Sequence, residues 1–255
     1  SAIALETEVP LAIADAARLV ERFELGAARD RLDGIRQHPA LDEHRPQELI
    51  VRAHIDLFDG RAAEGIEHLE RERRRLVGLD DRNPAATQYL AAVGILLDLG
   101  AGDLAGARAR VRSIEDRRPL DWVSQGRLAL AVDDPLEALR ATMDPRRDQS
   151  PMPRLRAHAL AIRAAALLRV DREADLGPVA ARLEAVLAAT GMRSAIALLP
   201  EVDIVALEQW ARAVGRDGLA QIINSVSIRP MRAATTSVVF TSRELAVLER
   251  LVRGE

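Results

Sequence analysis

Apolar positions along this chain recur at three- and four-residue spacing, and short polar turns interrupt them at intervals. The pattern predicts a helix, a turn and a second helix, again and again. Gln47 to Phe58 is followed by Asp59-Gly60-Arg61 and then Ala62 to Arg75. Ala85 to Leu99 leads through Gly100-Ala101-Gly102-Asp103 into Leu104 to Ile114. Trp122 to Val132 and Pro135 to Met143 flank Asp133-Asp134, and Pro153 to Val170 precedes Pro178 to Thr190, which Gly191 ends. Pro10 to Arg36 reads as a further pair hinged at Gly26, and Ile204 to Ile223 as a last one hinged at Gly215 and Gly218.

Turns follow one another every 30 to 45 residues or so, the period of stacked helical hairpins. One such unit is too small to bury its apolar face alone, so neighbours must supply the core. Ala85 to Leu99 is apolar almost all round and should be covered on several sides. The helix after it has a one-sided stripe, Leu104, Ala107, Val111 and Ile114, with Arg108, Arg110 and Arg112 expected to face water. The fold class expected is therefore all-α, an array of antiparallel helix pairs over residues 1–224.

Ser225 to Val239 has Pro230, a Ser/Thr cluster and no helical stripe, and reads as a linker. Beyond it, Thr241 is a good N-cap with Glu244 three residues on, a capping box. Phe240 and Leu245 sit as a hydrophobic staple, and Leu245, Leu248, Leu251 and Val252 form one stripe that Gly254 closes.

Composition sharpens this picture mainly by exclusion. The chain has 255 residues and is 48% hydrophobic but only 2% aromatic, so small side chains must do the packing. It contains no Cys, which excludes disulfides and thiolate metal sites and fits a reducing cytoplasm. A net charge of −3 gives no general attraction to nucleic acid. All 36 basic residues are Arg, which excludes lysine-based mechanisms such as a Schiff base or a P-loop lysine. No apolar run is long enough to span a membrane. No HExxH, GxSxG or P-loop pattern occurs, and the five His lack metal-ligand spacing. No cofactor is called for. Asp80-Asp81 and Asp133-Asp134 fall at expected turns and read as turn residues and caps rather than catalytic carboxylate pairs. The run Glu70 to Arg75 reads as a solvated, salt-bridged face, and Trp210 as core.

Small residues at crossing points (Ala53, Ala91, Gly94, Ala159, Ala166) and the Gly or Asp turn before each second helix resemble tetratricopeptide repeats of the irregular kind found in MalT-like regulators. The strong Trp and Tyr positions of the standard repeat are mostly absent. The C-terminal stretch resembles the opening of a LuxR-type helix-turn-helix, with Thr241, Arg243, Glu244, Val247, Leu248 and Gly254 matching and Phe240 standing where Leu is usual.

These resemblances imply a right-handed superhelical solenoid, then a linker at 225–239 and the first helix of a DNA-binding domain at 240–255. The DNA-reading helix would lie downstream, so DNA would be met only through a domain absent here. They imply a regulatory domain that takes a small-molecule or protein inducer and can self-associate, with no membrane partner. The ligand face would be the concave one, where Tyr89, Trp122, Gln125, Arg156, His158 and Arg163 are candidates; Tyr89 and Trp122 also fit ordinary packing between helices. A peptide-binding scaffold unrelated to DNA remains the alternative reading, and an enzyme the weakest.

Overall fold

A computed structural model describes residues 2–76, 83–114, 119–143 and 152–231. Thr241 to Gly254, the later part of the expected linker and Asp80-Asp81 lie outside these residues. Thirteen helices occur among the described residues, with no strand. They are α1 (Ala2–Glu21), α2 (Leu25–Asp33), α3 (Leu41–Phe58), α4 (Ala62–Arg75), α5 (Pro84–Ala101), α6 (Leu104–Ser113), α7 (Pro119–Ala131), α8 (Pro135–Thr142), α9 (Pro153–Arg169), α10 (Glu173–Thr190), α11 (Ser194–Ala197), α12 (Glu201–Ala213) and α13 (Asp217–Asn224).

Six hairpins share one turn. Phe23, Gly60, Gly102, Asp133, Asp171 and Gly215 each take positive φ directly after the first helix of a pair. In every case the N–H of the next residue reaches back five positions, as Arg61 to Asp56 and Asp103 to Asp98 do, both at 2.8 Å. The positive-φ residue itself bonds three positions back. This is the Schellman arrangement, which satisfies carbonyls a helix end would leave bare. The positive-φ residues stand 31 to 44 positions apart. Asp103 and Asp134 also cap the second helix, accepting from Gly106 N at 2.8 Å and Glu137 N at 2.9 Å.

Several details differ from the expected pattern; Gly218, expected with Gly215 to form the last hinge, lies inside α13, and the turn falls at Gly215 alone. The first hinge is Phe23, not Gly26, which lies inside α2. A bulky residue at positive φ is strained; here its ring packs edge-on against Phe58 with centroids 5.1 Å apart. Helix α10 starts at Glu173, straight after the Asp171 turn, with Pro178 inside it. Arg110 turns inward instead of facing water: Gly94 leaves room for its guanidinium, which binds Asp98 at 2.7 Å and Glu70 at 2.6 Å. Glu70 is thereby drawn out of the solvated charge run.

The first helices of consecutive pairs touch in chain order, α1 on α3, α3 on α5, α5 on α7, α7 on α9 and α9 on α12. Helix α5 also meets α4 and α6, so its all-round apolar surface is covered. Helix α9 is buried on nearly every face through an alanine-rich run, Ala157 to Ala166, that lets its neighbours approach closely. Gly100 shows how tight this is: a Cβ there would lie 2.5 Å from Leu57 Cδ1 and 3.3 Å from Ala62 Cβ. Trp210 is half-buried against the core rather than inside it.

One segment joins distant parts of the chain. Met192 and residues 194–199 are buried. Arg193 N donates to Glu21 O at 3.2 Å, and the Ser194 hydroxyl donates to the Glu21 carboxylate, linking α11 to the end of α1. Val226 and Met231, in the first part of the expected linker, are buried too. No described helix is long and apolar enough to cross a membrane.

Candidate functional site

Four first helices each turn one face toward a common cavity of about 150 Å³. Ile50 and His54 come from α3, and Tyr89, Val93 and Leu96 from α5. Val123 and Arg127 come from α7, and Leu155 and His158 from α9. Their spacings of three, four and seven are those of a single helix face. Leu198, just past α11, covers one side. Arg154 also lines the cavity, while Arg127 and Leu198 form part of a larger open groove of about 890 Å³ that reaches Arg169, Asp203 and Met231.

The electrostatics are lopsided. Arg127, His54 and His158 are 6%, 7% and 5% exposed, so these three polar groups are almost fully withdrawn from water. Burial, and then the charge of Arg154, brings the Arg127 pKa down to about 9, with Glu21 opposing weakly; the guanidinium is still charged at neutral pH. Burial and Arg154 push His54 to about 3. Burial, Arg127 and Arg154 push His158 well below its ordinary value.

Both imidazoles are therefore neutral, and their contacts assign the tautomers. His54 donates from Nδ1 to the Ile50 carbonyl at 2.7 Å, leaving Nε2 to accept from Arg154 Nη2 at 3.3 Å. His158 Nδ1 accepts from Arg127 Nη2, so its proton is on Nε2. The nearest carboxylate belongs to Glu21, and Arg154 holds it: Arg154 Nε lies 3.0 Å from Glu21 Oε1, an ion pair out of line for a hydrogen bond. Arg127 forms neither a hydrogen bond nor an ion pair with that carboxylate and feels it only through space. Arg127 Nε has no hydrogen-bond partner among the described residues.

Of the residues singled out from sequence, Tyr89 and His158 line this cavity. Trp122 is buried beside it without lining it, and Gln125 is half-buried elsewhere on α7. Arg163 is buried and donates to the Thr142 carbonyl, and Arg156 is half-buried away from the cavity. Arg127, Arg154 and His54 are lining residues that residue type and spacing alone did not point to. Arg127 had a usable signal, being the one charged residue between Trp122 and Val132.

Compared with models of known protein families, with curated proteins and with solved structures, the chain matches none of them.

Proposed function

We propose that residues 1–224 form a tetratricopeptide-like solenoid, a right-handed superhelix of antiparallel helix pairs, and that it is the effector-sensing and self-association region of a LuxR-type transcription regulator. Six hairpins with one shared turn, and first helices touching in chain order, support the solenoid. The capping box and stripe at Thr241 to Val252, with the LuxR-type matches around them, support the regulator.

The observation that carries the sensing role is the cavity itself, lined by the first helices of four pairs and holding a buried guanidinium that lacks a carboxylate of its own. Met231, on the adjoining groove, belongs to the linker that leads in sequence toward Thr241. A ligand that binds one packing of these elements better than another would shift that stretch, and differential affinity is the only way a ligand can do so.

Reading the native coding frame past the Glu255 codon tests the regulator reading. Further amphipathic helices able to complete a helix-turn-helix are expected. A stop codon there would overturn it and leave a helical-repeat interaction scaffold in its place.

A further inference from the structure

We infer that the cavity between α3, α5, α7 and α9 binds a small organic monocarboxylate, with the carboxylate on Arg127 and the carbon body against Ile50, Val93, Leu96 and Leu155. This rests on the reading of the cavity as the effector site and names the class of effector.

The charge comes first. A buried cation stays in a fold when it is paired, and three partly buried arginines here are paired with carboxylates: Arg110 with Asp98 and Glu70, Arg52 with Glu48 and Asp33, Arg169 with Asp203. Arg163, as buried as Arg127, donates to the Thr142 carbonyl. Arg127 has only a neutral imidazole, and its Nε faces no acceptor among the described residues. A carboxylate is the group whose two oxygens match a guanidinium edge. The two imidazoles cannot compete for that role, because both are held neutral by burial and by the arginines beside them.

The rest of the wall gives the body of the ligand. It is mostly aliphatic, as organic-ligand sites are, which disfavours a fully hydrated inorganic anion. A cavity of about 150 Å³ is the size that accepts a benzene ring. Arg127 stands where the cavity meets the larger groove, so a ring inside can keep its carboxylate at the boundary.

The test is calorimetric titration of the chain with sodium benzoate, benzyl alcohol and sodium phosphate, on the wild type and on Arg127→Met. Benzoate should bind the wild type, and both benzyl alcohol on the wild type and benzoate on Arg127→Met should bind at least about ten-fold more weakly, the worth of one charge-assisted hydrogen bond. Circular dichroism establishes that the variant is folded; the benzoate and benzyl alcohol pair needs no variant at all. Equal binding of benzyl alcohol would overturn the inference by making the site merely apolar. Phosphate binding without benzoate would overturn the organic class. No binding by any of the three would overturn the inference outright while leaving the regulator reading to the coding-frame test, so the two fail separately.

Discussion

Arg169 and Arg127 leave neighbouring first helices, α9 and α7, and meet opposite surroundings. Arg169 donates to both oxygens of Asp203 at 2.7 Å, to the Leu130 carbonyl at 2.7 Å and to Asp133 at 3.0 Å. Burial alone would lower its pKa, but the bonds and charges of Asp203 and Asp133 outweigh it and raise the value. Arg127, deeper in the same stack, shares no carboxylate and has its pKa lowered. The first arginine ties the ends of α7, α9 and α12 into one unit. The second holds positive charge at a cavity wall with little to offset its lost hydration. The same residue type is a clamp in one place and a reception point in the other, and the difference lies wholly in which carboxylates the fold brings near.

The comparison can be broken most severely at the clamp. Asp203→Ala leaves Arg169 half-stripped of its partners in a site where Asp203 is 3% exposed, and should cost about 3–5 kcal/mol in urea unfolding. A loss under about 1 kcal/mol would mean that the clamp is only a surface pair.

Acid should act on the cavity next. His54 and His158 have folded pKa values below their unfolded value, so the unfolded chain binds more protons in that window and stability falls as pH drops through 6.5. Between pH 6.5 and 5 His54 alone should cost about 1.5 kcal/mol, and His158 should add to it in the same direction. His54→Gln should remove its own share of that dependence and leave the His158 share, as thermal unfolding at the two pH values would reveal. The charges of Arg154 and Arg127 beside the pair add to burial in setting both shifts.

The smallest effect lies in the turn beside the clamp. Asp171 takes φ 53 in an exposed hairpin turn, and glycine adopts that conformation freely. Asp171→Gly should therefore stabilise by about 0.5–1 kcal/mol. A loss of stability would show that the aspartate has a role its backbone does not explain.

Much of the helical scaffold could be read from apolar spacing, because each hairpin is a local object: a stripe, a turn residue and a second stripe. The Gly60 and Gly102 turns were legible for that reason. Phe23 was not, since its strained φ is offset by an edge-on contact with Phe58 from another hairpin. The segment 192–199 was also silent: it packs into the core and is anchored through Arg193 and Ser194 to Glu21, which lies far away in sequence. The cavity was half legible. Tyr89 and His158 stood out by residue type, whereas Arg127 matters only because the one acid nearby, Glu21, is held by Arg154, and which partner takes that acid is a property of the fold.

The most direct test of the account sets the two arginines side by side. Arg169→Met and Arg127→Met each replace a guanidinium by an apolar chain, and urea unfolding reads both. Removing Arg169 should cost about 3–5 kcal/mol, because it strands Asp203. Removing Arg127 should leave stability within about 1 kcal/mol of the wild type or raise it, since relief of a desolvated charge offsets the hydrogen bond lost at His158. Equal, large losses from both would contradict the account and make Arg127 a structural residue like Arg169.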